Sequence, residues 1–330
     1  MATWAPPGPI QSEQDLARRF RAQRRAFTSP SWPEYNLVRF AGRKGTYHRS
    51  QSNQSEVADE LVAQLRNGFF VESGSFDSEQ LSNSLFFEQA RNWTGLLIEA
   101  NPRLFAIGKL KNRRCYRINA ALSISSTPTV MPFTMLGSLG GLRETQKNTR
   151  SAAQYKSNPE VSRDHGEIID VPTYSLSRLV RAVPEALSHS KLGEARWLDY
   201  WSLDTEGAEL RILRATNFTD VRFGLMTVEG NGNENAICHL MARNGFSFAD
   251  LPGEPIFFDP NYFQWRGLRP PFSKQCQRAE RPAVAEGNAD RARGNGGTPG
   301  AIPHRGAGER ARAPGARQSP RREKKGAEQG

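Results

Sequence analysis

Long apolar runs are missing from this chain of 330 residues. The longest candidates, such as residues 223–228, have the length of a strand and fall far short of the ~20 residues that a membrane-spanning helix needs. The first residues include three prolines but no apolar core of the kind found in a secretory signal peptide. We therefore expect a protein without a transmembrane segment, located in the cytoplasm.

Cysteine and histidine are also scarce. The three cysteines, Cys115, Cys238 and Cys276, form no C-x-x-C motif, and we expect buried or incidental thiols instead of a disulfide framework. The five histidines share no spacing typical of metal ligands. The sequence therefore predicts no metal site.

The basic excess lies at the two ends of the chain. Residues 1–50 and 277–330 each carry a net charge of +6, which leaves −1 for residues 51–276 out of a total of +11. Residues 277–330 contain ten glycines and no aromatic residue, so they cannot bury enough apolar surface to fold and are predicted to be disordered. A basic segment without interleaved aromatics predicts at most weak, salt-sensitive contacts with anionic partners, nucleic acid included.

Strand and helix patterns alternate through the middle of the chain. This alternation predicts an α/β fold with a doubly wound, Rossmann-like sheet of seven strands, the last part of which has one antiparallel edge strand. The predicted strands are 68–71, 95–98, 115–122, 197–203, 222–229, 246–249 and 255–258, and the predicted helices are 57–67, 79–90, 102–111, 174–183, 207–214 and 233–244.

Three regions follow from these patterns. Residues 1–54 are predicted to be a basic and mostly irregular arm with one short helix at 11–25, and residues 55–260 form the α/β domain. Residues 261–330 are a C-terminal extension. Within the domain, the polar stretch 136–167 lies between two predicted strands, 130–135 and 168–171, and we interpret it as a functional lid.

The turn after the first strand carries a single glycine. It reads Glu72-Ser73-Gly74-Ser75-Phe76-Asp77-Ser78, whereas binding a dinucleotide favours G-x-G-x-x-G so that the pyrophosphate can approach the backbone. Such a turn suits a nucleoside ligand without phosphates. Glu99 ends the second strand, at the distance along the chain where an acid accepts hydrogen bonds from ribose hydroxyls.

Acidic residues follow two later strands. Asp204 closes one strand, Glu206 precedes the next helix, and Glu229 closes another strand. If the two strands are neighbours, Asp204 and Glu229 lie side by side across ~4.8 Å of sheet, at the edge where open α/β sheets bind ligands. Clustered carboxylates can hold a proton, a hydroxyl or a divalent cation, but this set alone is too small to predict a metal.

Several blocks together resemble a known family. FFVESGSFDSEQLSNSLFFEQARNWTGLLIEANPRLF, INAALS, LDYWSLDTEGAELRIL and VEGN followed by NGF are similar to FkbM-type methyltransferases, with the Star-like proteins of animals as the closest branch. The resemblance covers roughly residues 55–258. It implies a class I fold, S-adenosylmethionine as cofactor and methyl transfer to a hydroxyl of a small molecule, glycan or lipid.

The resemblance also implies site residues. Glu72, Gly74 and Asp77 match the first cofactor motif and Glu99 the ribose acid, while the active-site blocks contribute Asp204, Glu206 and Glu229. Two features depart from the family: Ser78 stands where glycine is usual, and the membrane segment that usually precedes Star-like domains is missing. Because some Star-like proteins resemble trafficking factors, the alternative is a non-catalytic interaction protein that keeps the fold.

Overall fold

A computed structural model of the chain describes residues 10–38, 48–145, 166–184, 195–251 and 254–276.

Apolar runs beside glycines form the central strands, as predicted. Strands β1 (Phe69–Ser73) and β2 (Thr94–Glu99) are buried along almost their whole length. The other strands are β3 Tyr116–Asn119, β4 Ala121–Leu122, β5 Val130–Thr134, β6 Gly141–Leu142, β7 Ile168–Tyr174, β8 Arg196–Leu203, β9 Val221–Val228, β10 Ser247–Leu251 and β11 Glu254–Phe258.

The helices between these strands are short. They are α1 Glu13–Phe27, α2 Gln54–Leu61, α3 Leu85–Arg91, α4 Pro102–Lys109, α5 Leu176–Ala182, α6 Glu209–Ala215, α7 Glu234–Arg243 and α8 Pro260–Arg266. The predicted helix 57–67 ends early because Ala63 and Gln64 adopt left-handed backbone conformations. Within the described residues, no helix is long and apolar enough to cross a bilayer.

Seven strands form the central sheet, in the order β3-β2-β1-β8-β9-β11-β10. All neighbours are parallel except at β11, which runs antiparallel to both β9 and β10. The predicted doubly wound sheet is therefore confirmed, but the antiparallel strand was expected at the edge and lies one position inside it. A short β10–β11 connection forces the two strands into a hairpin, and β11 takes the place beside β9.

A second sheet of four strands, β4-β7-β5-β6, is built from the region around the predicted lid. The expected single strand 115–122 is divided between the sheets, with β3 in the first and β4 in the second. Strands β5 and β7 pair antiparallel and match the two strands predicted to flank the lid. The first part of the lid, up to Thr145, includes β6, while residues 146–165 lie outside the described part of the chain.

The short helix predicted in the N-terminal segment is present as α1, and it packs on the core. Leu16, Phe20 and Phe27 of α1 are buried in the main core, and Phe20 and Phe27 contact the ring of Tyr116 edge-on at 5.5 and 5.1 Å. The side-chain amide of Gln23 pairs with the backbone N–H and carbonyl of residue 117 at 2.8 and 2.9 Å. These two bonds occupy the outer edge of β3, which is otherwise open to pairing with another strand.

Folded structure continues past residue 260 into the predicted C-terminal extension. Tyr262 and Phe263 of α8 are fully buried, and the described chain continues to Cys276. Contrary to expectation, Cys276 forms a disulfide with Cys238 of α7, while Cys115 is a buried free thiol. Sequence spacing gave no sign of this pair because 38 residues separate its members. The segment 277–330, predicted to be disordered, lies outside the described residues.

The contribution of α1 to the core can be measured. Phe20→Ala should lower the free energy of unfolding by about 3–5 kcal/mol, because it removes a fully buried aromatic ring. Arg21→Ala, on the exposed face of the same helix, is the control and should change stability by less than about 0.5 kcal/mol. Urea unfolding measures both, and equal effects of the two substitutions would contradict the docking of α1.

Candidate active site at the ends of β1 and β8

The strand order reverses between β1 and β8, and the loops that follow these two strands meet there. Gly74 has φ +83°, and a Cβ at this position would lie 1.8 Å from the carbonyl oxygen of Asp204. Only glycine fits such a conformation at such a contact. The N–H groups of Gly74 and Ser75 both donate to the carbonyl of Ile98, at 3.0 and 3.1 Å, and tie the loop to β2 as well.

The loop from Ser75 to Ser84 stays irregular where the sequence predicted a helix from residue 79. Phe76, Ser78 and Leu81 all have positive φ, which is strained for residues other than glycine. The Asp77 carboxylate accepts hydrogen bonds from the N–H groups of Glu79 and Gln80 at 2.8 and 2.7 Å. Asp77 thus stabilises the loop through its backbone. It does not line the cleft formed by this loop and the turn after β8.

Ser78 has the left-handed conformation that would favour glycine, with φ +65°. Its side chain packs against Gly108 of α4, where a Cβ would lie 2.3 Å from the Ser78 Oγ. Ser78 is not among the residues that line the cleft. The serine that stands in place of the usual glycine therefore faces α4 and not the cleft.

A buried ionic network holds the far end of this loop. Glu72 accepts a hydrogen bond from the N–H of Asn83 at 2.7 Å, and its other oxygen accepts from the hydroxyls of Ser82 and Ser84. Arg113, which is fully buried, pairs with Glu88 at 2.9 Å and lies 3.7 Å from Glu72. It also donates to Ser78 O, Ser82 Oγ and Ser84 Oγ. Sequence reasoning missed Arg113.

These elements surround a cleft. Its volume, including the solvent-filled space at its mouth, is about 850 Å³. One wall is polar and includes Glu72, Gly74 and Glu99. The opposite side is formed by the small sheet, through Phe133 of β5 and Leu142 of β6. Gly137 and Leu142, from the start of the predicted lid, therefore line the cleft, and Glu144 forms an exposed ion pair with Arg211 of α6 at 2.7 Å.

Two buried polar atoms of the cleft wall have no partner among the described residues. They are Ser75 Oγ and Asn83 Oδ1, on residues that are 2% and 7% exposed. Leaving such atoms unpaired in a dry interior costs ~1–3 kcal/mol each, so a polar ligand in the cleft would stabilise them. Neither residue could be singled out from the sequence, because Ser and Asn are common in any loop.

Glu99 ends β2 at the centre of this wall. One oxygen accepts from the N–H of Phe76 and the other from the N–H of Asn101, both at 2.8 Å. Glu99 thus connects the glycine loop to the start of α4 and faces the cleft at the same time.

Three carboxylates converge at the other end of the cleft. Strands β8 and β9 are parallel neighbours in which Leu203 pairs with Val228, so Asp204 and Glu229 lie side by side, as predicted. Asp204, Glu206 and Glu229, here called the acid triad, each place an oxygen within 4.8 Å of the others. Asp204 and Glu206 line the cleft, and Asn231 donates to Glu229 at 2.6 Å.

The turn after β8, which carries Asp204 and Glu206 of the triad, is held by a fourth acid. Glu209, which is fully buried at the start of α6, accepts hydrogen bonds from the N–H groups of Thr205 and Gly207 at 2.8 and 3.1 Å. Glu206 lies between them with φ +56°, a conformation that such bonds impose. The carboxyl group of Glu206 lies with those of Asp204 and Glu229 in the triad.

Burial, together with the neighbouring carboxylates, raises the pKa of two acids of the triad. Burial, with further contributions from Glu229 and Glu209, raises the pKa of Glu206 to about 8. Burial and the neighbouring Glu229 and Glu206 raise the pKa of Asp204 well above its usual range, and Asp204 shares a hydrogen bond with Glu229. Asp204 and Glu206 therefore hold protons at neutral pH. Its spacing would also suit a hard divalent cation, which prefers oxygen ligands.

A family model, the methyltransferase FkbM domain, matches residues 72–251, more than half of the chain. The chain belongs to the FkbM methyltransferase family. Its fold is that of a class I methyltransferase, and its cofactor is S-adenosylmethionine. The match begins at Glu72 and ends after the acid triad, so it spans the whole cleft. No curated protein sequence matches the chain.

Solved structures with a related arrangement include a pre-rRNA processing fibrillarin from Methanococcus jannaschii. It is 8% identical, with a TM-score of 0.33, and covers 70% of this chain and 84% of its own. A Pyrococcus furiosus methyltransferase is 13% identical at a TM-score of 0.32, covering 74% and 96%. The Burkholderia thailandensis 1,6-didemethyltoxoflavin-N1-methyltransferase is 12% identical at 0.27, covering 76% and 90%.

The raised pKa of Glu206 has a consequence for stability. A carboxyl whose pKa is higher in the folded state contributes stability that is complete below pH 4.5 and is lost as the pH rises through about 8. Between pH 5 and pH 8.5, the melting temperature should fall by roughly 2–6 °C more in the unmodified protein than in Glu206→Gln. Exposed Glu60→Gln is the control, and identical pH dependence in all three proteins would contradict the shift.

Proposed function

We propose that this FkbM family member transfers the methyl group of S-adenosylmethionine to a hydroxyl oxygen of an acceptor that binds beside the acid triad. The observation that carries the proposal is the position of the triad: Asp204 and Glu206 line the same cleft as the glycine loop and Glu99. The cofactor and the acids that take the proton of the hydroxyl would thus share one cavity. Hydroxyl acceptors on a small molecule, a glycan or a lipid all fit this chemistry.

The cleft has groups that fit each polar part of the cofactor. Glu99 would accept hydrogen bonds from the ribose hydroxyls, and Gly74 lets the ligand approach the backbone. The unpartnered Ser75 Oγ and Asn83 Oδ1 would meet the charged end of the methionine portion. Glu72 and Asp77 would act by holding the loop in place. When bound, the cofactor supplies an electrophilic methyl group on a sulfonium.

The triad would orient the acceptor and take its proton. A hydroxyl becomes a good nucleophile only as it loses its proton, and a base acts best when its pKa is near the working pH. Glu206, with a pKa of about 8, meets this condition. Glu229 and Asp204 share a hydrogen bond and would hold the hydroxyl in line, so that much of the rate comes from positioning. A neutral amine needs no such base, which is why oxygen is the favoured acceptor atom.

The direct test is transfer of labelled methyl from S-adenosylmethionine to a panel of alcohols, glycans, lipids and amines, with EDTA and with Mg²⁺ in parallel. Transfer to hydroxyls supports the proposal, while transfer confined to amines contradicts it. Cofactor binding without transfer to any acceptor would favour the other prediction from sequence, a non-catalytic Star-like interaction protein.

Glu99 provides a test of cofactor binding. Glu99→Gln should weaken binding of S-adenosylmethionine at least tenfold, because hydrogen bonds to a charged acceptor contribute about 1.5–3 kcal/mol each. Calorimetric titration measures the affinity. Glu167→Gln, a surface acid paired with Arg103, is the control and should bind normally. Unchanged affinity in Glu99→Gln would refute the role of Glu99.

Asp204 provides a test of catalysis. Asp204→Asn keeps the shape of the side chain but cannot share a carboxyl proton with Glu229, so the acceptor loses its positioning. The methyl-transfer rate should then fall by about 10²-fold, with cofactor affinity nearly constant. Exposed Asp170→Asn should leave the rate unchanged. If Asp204→Asn keeps full activity, the triad does not act on the acceptor through this residue.

A further inference from the structure

The last described residues cross the open edge of the central sheet. Strand β10 is the edge strand and pairs on its inner side with β11. On its outer side, Phe248 forms an antiparallel bridge with Lys274, whose N–H donates to the Phe248 carbonyl at 2.7 Å. Residues 268–276, here called the C-terminal strap, thus cover an edge that could otherwise pair with another chain.

The strap is fastened at both ends. At its start, the N–H of Leu268 donates to the carbonyl of Phe263 at 2.8 Å, and at its end Cys276 is bonded to Cys238 of α7. Cys276 packs half-buried against the main core, and Cys238 is 3% exposed. Between these points the strap is open to solvent, with Phe272 90% exposed. Its position on the sheet therefore depends strongly on the disulfide.

We propose that the Cys238–Cys276 disulfide is a redox-controlled clasp that holds the strap over β10. Two thiols become one disulfide by losing two protons and two electrons, which pass to a disulfide-bearing oxidant such as glutathione disulfide through thiol–disulfide exchange. Reduction by a thiol reverses the step and frees the strap. The closed loop contains β10, β11 and α8, so the clasp controls the whole end of the sheet.

The pairing is selective because the third cysteine is enclosed. Cys115 is 1% exposed, and burial, with the nearby carboxylate of Glu88, raises the pKa of its thiol. A buried thiol that resists ionisation reacts slowly with disulfides. The clasp thus forms between Cys238 and Cys276, whose Cα atoms lie 5.7 Å apart. The clasp would be closed in an oxidising compartment and open in a glutathione-rich cytosol. In the cytoplasm, the location expected from the sequence, the disulfide would therefore be reduced.

The first experiment counts thiols in the intact protein. After equilibration in glutathione disulfide, the protein is denatured and alkylated without reduction, and its mass is measured. We expect one alkyl group, on Cys115, and three after prior reduction with dithiothreitol. Three alkyl groups after oxidation would overturn the proposal, as would glutathione adducts on Cys238 or Cys276 in place of the intramolecular bond.

The second experiment follows the strap. Reduction should lower the melting temperature by roughly 5–10 °C, and it should speed amide exchange in β10 and tryptic cleavage at Lys274 at least tenfold. Cys238→Ala with Cys276→Ser is the matched control and should behave like the reduced protein in either buffer. If β10 exchanges equally in both redox states of the unmodified protein, the disulfide does not control the strap. None of these readouts depends on methyl transfer.

Discussion

Gly74 lies against the carbonyl oxygen of Asp204 at the point where the strand order reverses, and this contact determines the layout of the site. It brings the loop after β1 within atomic contact of the turn after β8. The first loop carries the groups that suit the cofactor, and the second carries the acid triad. A side chain larger than hydrogen at position 74 would separate the two halves of the cleft.

Both loops are held by buried carboxylates that replace regular secondary structure. Glu72 and Asp77 satisfy backbone N–H groups of the first loop, and Glu209 does the same for the second. These bonds offset the strain of several left-handed residues, which is tolerated where a site must keep a fixed shape. Arg113 pairs with Glu88 and lies 3.7 Å from Glu72 beneath the first loop, so both buried carboxylates have a cation nearby.

Local patterns in the sequence were sufficient for the central strands and for the acids at their ends. Glu99, Asp204 and Glu229 could be predicted because a parallel sheet places the ends of its strands on one side. Only residues 79–84 of the loop after β1 were wrongly predicted as helix, because the apolar pattern of 79–90 does not reveal that Asp77 accepts hydrogen bonds from the backbone N–H groups of Glu79 and Gln80. Arg113 and the cysteine pair were missed because their partners come together only through tertiary packing.

Tertiary packing also explains why the roles of the two ends of the domain could not be predicted from their composition. The basic residues of α1 dominate its composition, yet Leu16, Phe20 and Phe27 form one apolar face that packs on the sheet. Gln23 of this helix covers one outer edge of the central sheet, and the C-terminal strap covers the other. Segments that looked peripheral from their charge thus protect the two strands most open to unwanted pairing.

The central claim is that a proton-sharing acid triad serves as the base for methyl transfer in the cofactor cleft. The pH dependence of kcat/KM for methyl transfer tests it most directly, because this profile reports ionisations of the free enzyme. The account predicts that kcat/KM rises with pH and levels off above about 8, the pKa of Glu206, and that Glu206→Gln removes this rise. A kcat/KM that is constant between about pH 6 and pH 9 in the unmodified protein would contradict it.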